Sequence, residues 1–150
     1  MIDVEIEDVD WTAVLPEAET LVRRAAETAL AADGVVGDVT VLLTSDLAVR
    51  ELNATFRGKD YATNVLSFPA PANPEAFVGD IALALGVMTR EAAEQGKPLA
   101  HHLQHLVVHG VLHLIGYDHE TDGDADRMES LERALLDGLG VPDPYVDDAP

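Results

Sequence analysis

The stretch from His109 to His119 reads HGVLHLIGYDH and contains three of the six histidines of the chain, in the pattern H-x-x-x-H-x-x-G-x-x-H. Residues four apart on an α-helix lie on one face, so the imidazoles of His109 and His113 can converge on one point. Gly116 can end the helix in a left-handed conformation, which brings His119 back over the same face. The spacing therefore predicts a metal ion bound by His109, His113 and His119.

The number and type of these ligands indicate which metal and which role to expect. Three neutral imidazoles at about 2.0–2.1 Å suit zinc, and three protein ligands leave a fourth position open for water, as in catalytic zinc sites. The chain has no cysteine, so nitrogen and oxygen must hold any metal. We expect one Zn²⁺ ion, while nickel, copper and iron also suit three imidazoles.

Apolar residues surround the two helical histidines on almost every side, which is typical of a buried helix. They are Leu103, Leu106, Val107, Val108, Val111, Leu112, Leu114 and Ile115. The alternative interpretation is that the histidines are ordinary core or surface residues, in which case the buried ones need hydrogen-bonding partners. His105 continues the same face and either lines the site or is solvated or hydrogen-bonded. His101 and His102 are expected at the surface.

The composition fits one soluble domain. With 150 residues, of which 47% are hydrophobic, the chain is long enough for a single core and has no apolar run that could cross a membrane. The first residues do not resemble a secretion signal, so we expect a cytoplasmic protein without a membrane partner. Residues 143–150 are acidic and contain proline, which predicts a flexible tail after a domain over 1–142.

Hydrophobic periodicity predicts both strands and helices. Alternation at 2–6 and apolar runs at 38–44, 64–68 and 78–85 predict strands. Helical patterns cover 11–32 and 45–56, a short segment ending at Gln95, the histidine segment from Pro98, and a last segment capped by Asp122 or Asp124. We expect a single α+β domain, with a small mixed sheet of about four strands packed with about five helices and a zincin-like histidine-bearing helix. The order of the strands is left open.

The residue after His109 bears on the chemistry. Metzincin peptidases share the histidine spacing but place a glutamate general base directly after the first histidine. That position here is Gly110, so peptide hydrolysis lacks its usual base. A glycine inside a helix costs about 1 kcal/mol relative to alanine, which indicates that something packs or binds close to the backbone there. Metal-assisted hydrolysis then needs another residue to supply positioning or charge.

A cationic side chain beside the metal would suit a phosphodiester substrate, because arginine can hold two phosphoryl oxygens in a fork. The polar segment 57–63 lies between a predicted helix and a predicted strand. In it Arg57 is the candidate catalytic and substrate-binding residue and Lys59 a second substrate-binding candidate; the alternative is that both are solvated loop residues. Asp118 or Asp80 is a candidate partner for the second ring nitrogen of a ligand histidine.

Four blocks of the sequence carry a family resemblance. Arg57-Gly58-Lys59-Asp60, the TNVLSFP block at 63–69, Gly79-Asp80-Ile81 and the complete histidine motif together closely resemble the YbeY family of bacterial rRNA maturation factors. The resemblance implies a metal-dependent, single-strand-specific endoribonuclease that acts in 16S rRNA 3′-end maturation and ribosome quality control. It further implies zinc on the three matching histidines, a functional role for Arg57, and single-stranded RNA and the ribosome or ribosomal proteins as partners.

The strongly negative charge of the chain weakens its binding to RNA. A formal net charge of −19 opposes nonspecific binding to phosphates, so a local basic strip at Arg57 and Lys59 or a ribosomal protein must supply affinity.

Two other functions fit the sequence. One is a non-catalytic ribosome-assembly factor with a structural metal, which Gly110 favours; the other is a metallopeptidase, which rests on the histidine spacing. The oligomeric state is left open.

Overall fold

The computed structural model describes residues 1–145, and within them the chain forms four strands and six helices. In chain order they are β1 (Ile2–Ile6), α1 (Asp10–Val14), α2 (Ala18–Ala32), β2 (Asp38–Thr44), α3 (Asp46–Arg57), β3 (Val65–Pro69), β4 (Phe77–Ala84), α4 (Leu85–Gln95), α5 (Leu99–Leu114) and α6 (Asp122–Gly138). The predicted α+β domain with a zincin-like, histidine-bearing helix is confirmed. None of these helices is long and apolar enough to cross a membrane.

The sheet has the strand order β1-β2-β4-β3. Strand β2 pairs in parallel with both β1 and β4, whereas β3 is antiparallel to β4 and forms one edge, so the sheet is mixed as predicted. In the β3–β4 ladder, Ser67 lies opposite Ile81. This pairing places the edge strand β3 beside α5, the helix that carries the histidines.

The segment predicted as one helix over 11–32 is two helices, α1 and α2, and the break lies just before Pro16. Leu15 has φ −142° and ψ 82°, because the ring of a following proline disfavours the helical conformation. The break lets the side chain of Trp11 turn into the core, where Nε1 donates to the Thr44 carbonyl oxygen at 2.9 Å. The sequence pattern showed the proline but not this change of direction.

Helix α5 is the centre of the larger hydrophobic cluster, which also includes residues of α2, α6 and the sheet. A smaller cluster of Val49, Leu66, Ala82 and Ala84 lies under α3. Gly110 allows α5 to approach the sheet, since a Cβ atom there would lie 3.2 Å from Ile81 Cγ2 and 3.3 Å from Ser67 Oγ. The expectation that something packs close to the backbone at Gly110 is therefore confirmed.

The chain continues past α6 and returns to the histidine helix. Val141 is buried, Arg133 Nε lies 3.1 Å from Asp143 Oδ2, and the guanidinium of Arg133 lies 5.2 Å from the ring centroid of Tyr145. Contacts thus hold residues 143–145. The rest of the segment predicted as an acidic flexible tail, 146–150, lies outside the described residues, and the tail stays a prediction.

Candidate metal centre

The three predicted ligands meet at the C-terminal end of α5. The helix ends at Leu114, Gly116 adopts a φ of +109°, and the following turn carries the chain back to His119. The Nε2 atoms of His109 and His113 are 3.1 Å apart, and one ring nitrogen from each of the three histidines lies within 4.8 Å of the others. The three side chains that the sequence spacing selected therefore form one group.

The geometry of this group fits a single metal ion. Zn–N bonds of 2.0–2.1 Å in a tetrahedron place two ligand nitrogens about 3.3 Å apart, close to the observed 3.1 Å between His109 and His113. Burial lowers the pKa of His113, and the neighbouring His109 and His119 lower it further. The folded protein therefore favours neutral His113, and only neutral imidazole can bind a metal.

A glutamate from α6 stands behind this group. Glu132 Oε1 lies 2.6 Å from His109 Nδ1, and the glutamate side chain is fully buried. In the described part of the chain, neither Asp118 nor Asp80 accepts a hydrogen bond from a ligand histidine, so the expectation for those two carboxylates is wrong; Asp118 instead accepts from the Glu120 N–H at 3.2 Å.

The pattern of buried residues on α6 could have identified Glu132, although the histidine spacing gives no indication of it. The buried residues of α6 are Met128, Glu132 and Leu136, each four after the last. A carboxylate between two apolar residues on the buried face of a helix needs a partner inside the protein. The pattern marks Glu132 as unusual, but only the packing of α6 against α5 identifies His109 as the partner.

A cleft of about 540 Å³ opens in front of the histidines. It is lined by Arg57, Asn64, Val65, Leu66, Ser67, Pro69, His105, Leu106, His109, His113, His119 and Tyr145. Among the described residues, no aspartate or glutamate lines it, although the chain carries a formal charge of −19. An anionic substrate can therefore enter this cleft without meeting a carboxylate in its lining.

The two predicted basic residues have different positions relative to the cleft. Arg57 ends α3 and reaches the edge strand, where Nη2 donates to the Ser67 carbonyl oxygen at 2.5 Å, and its guanidinium lies 5.5 Å from the Phe68 ring centroid. Lys59 is exposed and is not among the described residues that line the cleft. Its backbone N–H donates to the Asn53 carbonyl oxygen at 3.2 Å, so its contribution here is to the turn after α3.

Two of the remaining histidines are placed by the packing of α5. His105 lines the cleft, with Nε2 3.2 Å from the Tyr145 hydroxyl, which agrees with the interpretation that it lines the site or is hydrogen-bonded. His102, expected at the surface, is buried, and its Nε2 lies 2.9 Å from Glu91 Oε1. The expectation for His102 is wrong because α4 packs against that side of α5.

Two backbone groups on the open edge of β3 already have hydrogen-bond partners. The side-chain oxygen of Asn64 accepts from the Val65 N–H at 2.7 Å, Arg57 donates to the Ser67 carbonyl oxygen, and Pro69 has no N–H to offer. Peptides commonly bind such an edge as an added strand through its backbone groups. These three features remove part of the edge that an added peptide strand would use.

Comparison with known proteins gives consistent matches. The family model described as Endoribonuclease YbeY matches residues 2–140. Relatives with that name include one from Rhodopseudomonas palustris strain BisB5, 52% identical over 144 residues (87% of this chain, 74% of the relative), and one from strain ATCC BAA-98 / CGA009, 53% identical over 156 residues (96% and 80%). The solution structure of TM1509 from Thermotoga maritima superposes with a TM-score of 0.57 at 24% identity, covering 97% of this chain and 99% of that chain, which is a likeness of fold.

Proposed function

This chain belongs to the YbeY family of endoribonucleases, and from that premise we propose that it cleaves single-stranded RNA with the help of one metal ion held by His109, His113 and His119. The observation that carries the proposal is the lining of the cleft. Three converging imidazoles and one arginine share a cleft in which the described residues place no carboxylate. That combination suits a phosphate and lacks the glutamate base on which metzincin peptidases rely.

In the proposed mechanism, the histidines of the cleft hold the metal ion and Arg57 positions the phosphate. When bound, a divalent ion acts as a Lewis acid on a phosphoryl oxygen and makes water more acidic. Arg57 uses one N–H on the Ser67 carbonyl, which fixes the direction of the guanidinium and leaves other N–H groups for a phosphate oxygen. Ser67 Oγ donates to the Gly110 carbonyl oxygen at 3.1 Å and ties the strand under Arg57 to the histidine helix.

A zinc ion, a ribosomal RNA substrate and a partner on the ribosome complete the proposed function. Zn²⁺ is the proposed ion, because three imidazoles with an open fourth position are typical of catalytic zinc. The proposed substrate is the 3′ region of 16S rRNA, with a further role in ribosome quality control in the cytoplasm. Because a charge of −19 opposes unaided binding to RNA, we propose that the ribosome or a ribosomal protein contributes affinity, with Lys59 as a second, weaker contact.

A cleavage assay with a defined RNA tests the proposal. Protein stripped with a chelator and reloaded with Zn²⁺ is incubated with an end-labelled single-stranded RNA and with the same sequence as a duplex. We expect metal-dependent cutting of the single strand, and a rate lowered by about 10²–10³-fold in Arg57→Ala, as for removal of one donor to a developing charge. Arg24→Ala, which removes an exposed arginine on α2, is the matched control.

Three results separate the proposed function from its alternatives. Equal cutting by wild type and an Arg57→Ala, His113→Ala double mutant would exclude catalysis at this cleft. A folded, metal-free His113→Ala protein that still supports 16S rRNA maturation in cells would instead favour a non-catalytic assembly factor, the function consistent with Gly110 in place of a base. Chelator-sensitive hydrolysis of casein would favour a metallopeptidase, although two backbone groups that a peptide strand could use on the edge of β3 are already bonded.

A further inference from the structure

Glu132 is a charged side chain with no access to solvent. Its relative exposure is 0%, yet it lies among groups that can satisfy it: His109 Nδ1 at 2.6 Å, the Tyr145 hydroxyl at 2.5 Å and His105 Nε2 at 3.5 Å. Its two oxygens each face a donor at the distance of a charge-assisted hydrogen bond, Oε1 towards His109 Nδ1 and Oε2 towards the Tyr145 hydroxyl. The geometry therefore makes Glu132 the acceptor of both hydrogen bonds.

Because Glu132 accepts hydrogen bonds at both oxygens, the groups that face it must be the donors, and this fixes the proton positions around it. His109 must donate from Nδ1, so in the neutral imidazole the lone pair is on Nε2. Nε2 is the nitrogen that lies 3.1 Å from His113 Nε2 in the cleft. The hydrogen bond to Glu132 thus selects the tautomer of His109 that can bind a metal in the cleft.

His105, His109 and Glu132 also lie close enough to be considered as a second metal-binding group. The distance between His109 Nδ1 and Glu132 Oε1 decides against it. At 2.6 Å the two atoms are closer than the roughly 3.3 Å expected for two ligands of one tetrahedral ion. The contact has the length of a charge-assisted hydrogen bond.

We propose that Glu132 is the positioning residue of the metal centre, and that Tyr145 holds Glu132 in place from the C-terminal segment. The inference rests on the metal site of the proposed function and adds two residues that do not themselves bind the ion. Tyr145 donates to Glu132 Oε2, and its own N–H donates to Asp143 Oδ1 at 2.8 Å. Through Tyr145, the segment after α6 therefore supports the metal centre from behind His109.

Metal affinity provides the first test, because a positioning residue behind a metal ligand typically changes affinity by about 10–100-fold. Zn²⁺ affinity is measured by competition with a chromophoric chelator for wild type, Glu132→Gln and Glu91→Gln. The control removes the charge of the other glutamate that binds a histidine of α5. We expect affinity to fall by about 10–100-fold in Glu132→Gln and by less than about twofold in Glu91→Gln.

The tautomer of His109 provides a readout that a merely structural role would not change. Long-range ¹H–¹⁵N spectra of the histidine rings of metal-free wild type should show His109 protonated at Nδ1. In Glu132→Gln, a mixture of tautomers is expected, since the neutral amide no longer requires a donor. A Zn²⁺ affinity within about twofold of wild type, or an unchanged single tautomer, in folded Glu132→Gln overturns the proposal.

Tyr145→Phe keeps the inference testable if Glu132→Gln does not fold. The substitution removes only the hydroxyl, and Tyr61→Phe makes the same change at an exposed tyrosine. We expect Zn²⁺ affinity to fall by about three- to tenfold in Tyr145→Phe, the range for loss of one ordinary hydrogen bond, and to stay unchanged in Tyr61→Phe. Equal affinities in the two variants contradict the role of Tyr145.

Failure of this inference and failure of the proposed function give different results. If Glu132→Gln weakens Zn²⁺ binding but the wild-type protein cuts no RNA, the positioning role stands and the endoribonuclease proposal fails. If wild type cuts RNA through Arg57 while Glu132→Gln and Tyr145→Phe bind Zn²⁺ as tightly as wild type, the reverse holds. Metal affinity and the ring spectra require no RNA, so each result is obtained independently.

Discussion

Two histidines of helix α5 have a ring nitrogen within 3 Å of a glutamate oxygen, and the two pairs differ at the second ring nitrogen. His102 Nε2 lies 2.9 Å from Glu91 Oε1, and its Nδ1 is buried without a hydrogen-bond partner in the described part of the chain. His109 Nδ1 lies 2.6 Å from Glu132 Oε1, and its Nε2 faces His113 in the cleft. The first pair links two helices, whereas the second directs a lone pair into the cleft.

A histidine–glutamate pair therefore supports a metal site only where the second ring nitrogen of the histidine faces the cleft. Glu91 is partly exposed and also accepts from Asn64 Nδ2 at 3.0 Å, so it ties α4, α5 and the segment before β3 together. Glu132 has no exposed surface, and the groups that it contacts within residues 1–145 are His105, His109 and Tyr145, all of which line the cleft. We therefore expect the His102–Glu91 pair to govern stability and the His109–Glu132 pair to govern metal affinity.

Removal of a metal ligand should have the largest effect. His113→Ala deletes one of three ligands, so its Zn²⁺ affinity should fall by more than the roughly 100-fold that is the upper end for a residue behind a ligand. His101→Ala removes an imidazole from the same helix outside the cleft lining and should leave the affinity unchanged. Isothermal titration with Zn²⁺ measures both. Comparable affinities in the two variants would contradict the assignment of the metal centre.

Removal of the Glu91 carboxylate should lower the stability of the fold. Glu91→Ala leaves the buried Nε2 of His102 and the amide of Asn64 without their acceptor, so the free energy of unfolding should fall by about 1–3 kcal/mol. Glu94→Ala, at an exposed position on the same helix, is the matched control. Urea denaturation in the presence of a chelator gives both values. A loss of Zn²⁺ affinity without a loss of stability would reverse the assigned roles of the two pairs.

The pH dependence of stability should reflect buried His102. Burial lowers the pKa of His102, and the hydrogen bond to Glu91 offsets part of the effect. Below about pH 6.5 the unfolded chain then binds more protons than the folded one, so the unfolding free energy falls as pH decreases toward the folded pKa. His102→Gln should reduce this slope by less than about 1.4 kcal/mol per pH unit. Urea denaturation of metal-free protein between about pH 7 and pH 5 measures it.

The control for this pH prediction is His101→Gln, which changes a less buried histidine one residue earlier in α5. Its slope should match that of wild type. An equal slope in His102→Gln and wild type would mean that the buried histidine does not contribute to the loss of stability in acid.

Carboxylates that lie near the histidines in sequence but do not contact them should have the smallest effect. Asp118 directly precedes His119, yet its side chain accepts from the Glu120 backbone. We expect Asp118→Asn to change Zn²⁺ affinity by less than about twofold, as for a surface substitution away from special contacts. The same chelator competition used for Glu132→Gln measures this. A tenfold loss would show that charge near the site, rather than a hydrogen bond to a ligand, sets the affinity.

Most of the fold followed from local patterns. The bounds predicted for β2 and for the start of α5 agree with the structure, because alternating or continuous apolar runs and proline act over a few residues. The break before Pro16 was missed because an apolar stripe continues on both sides of it. The strand order β1-β2-β4-β3 depends on contacts between distant segments, and no local pattern contains them.

Local spacing was sufficient for the three histidines, since a helix and a glycine turn place residues i, i+4 and i+10 together without help from the rest of the chain. The carboxylate that contacts the second ring nitrogen of His109 was not predictable in this way. Glu132 lies 23 residues after His109, and the sequence analysis named Asp118 and Asp80 as candidates instead. Only the packing of α6 and of Tyr145 against α5 decides which of 28 acidic residues is buried behind the site, because burial is a property of the assembled core.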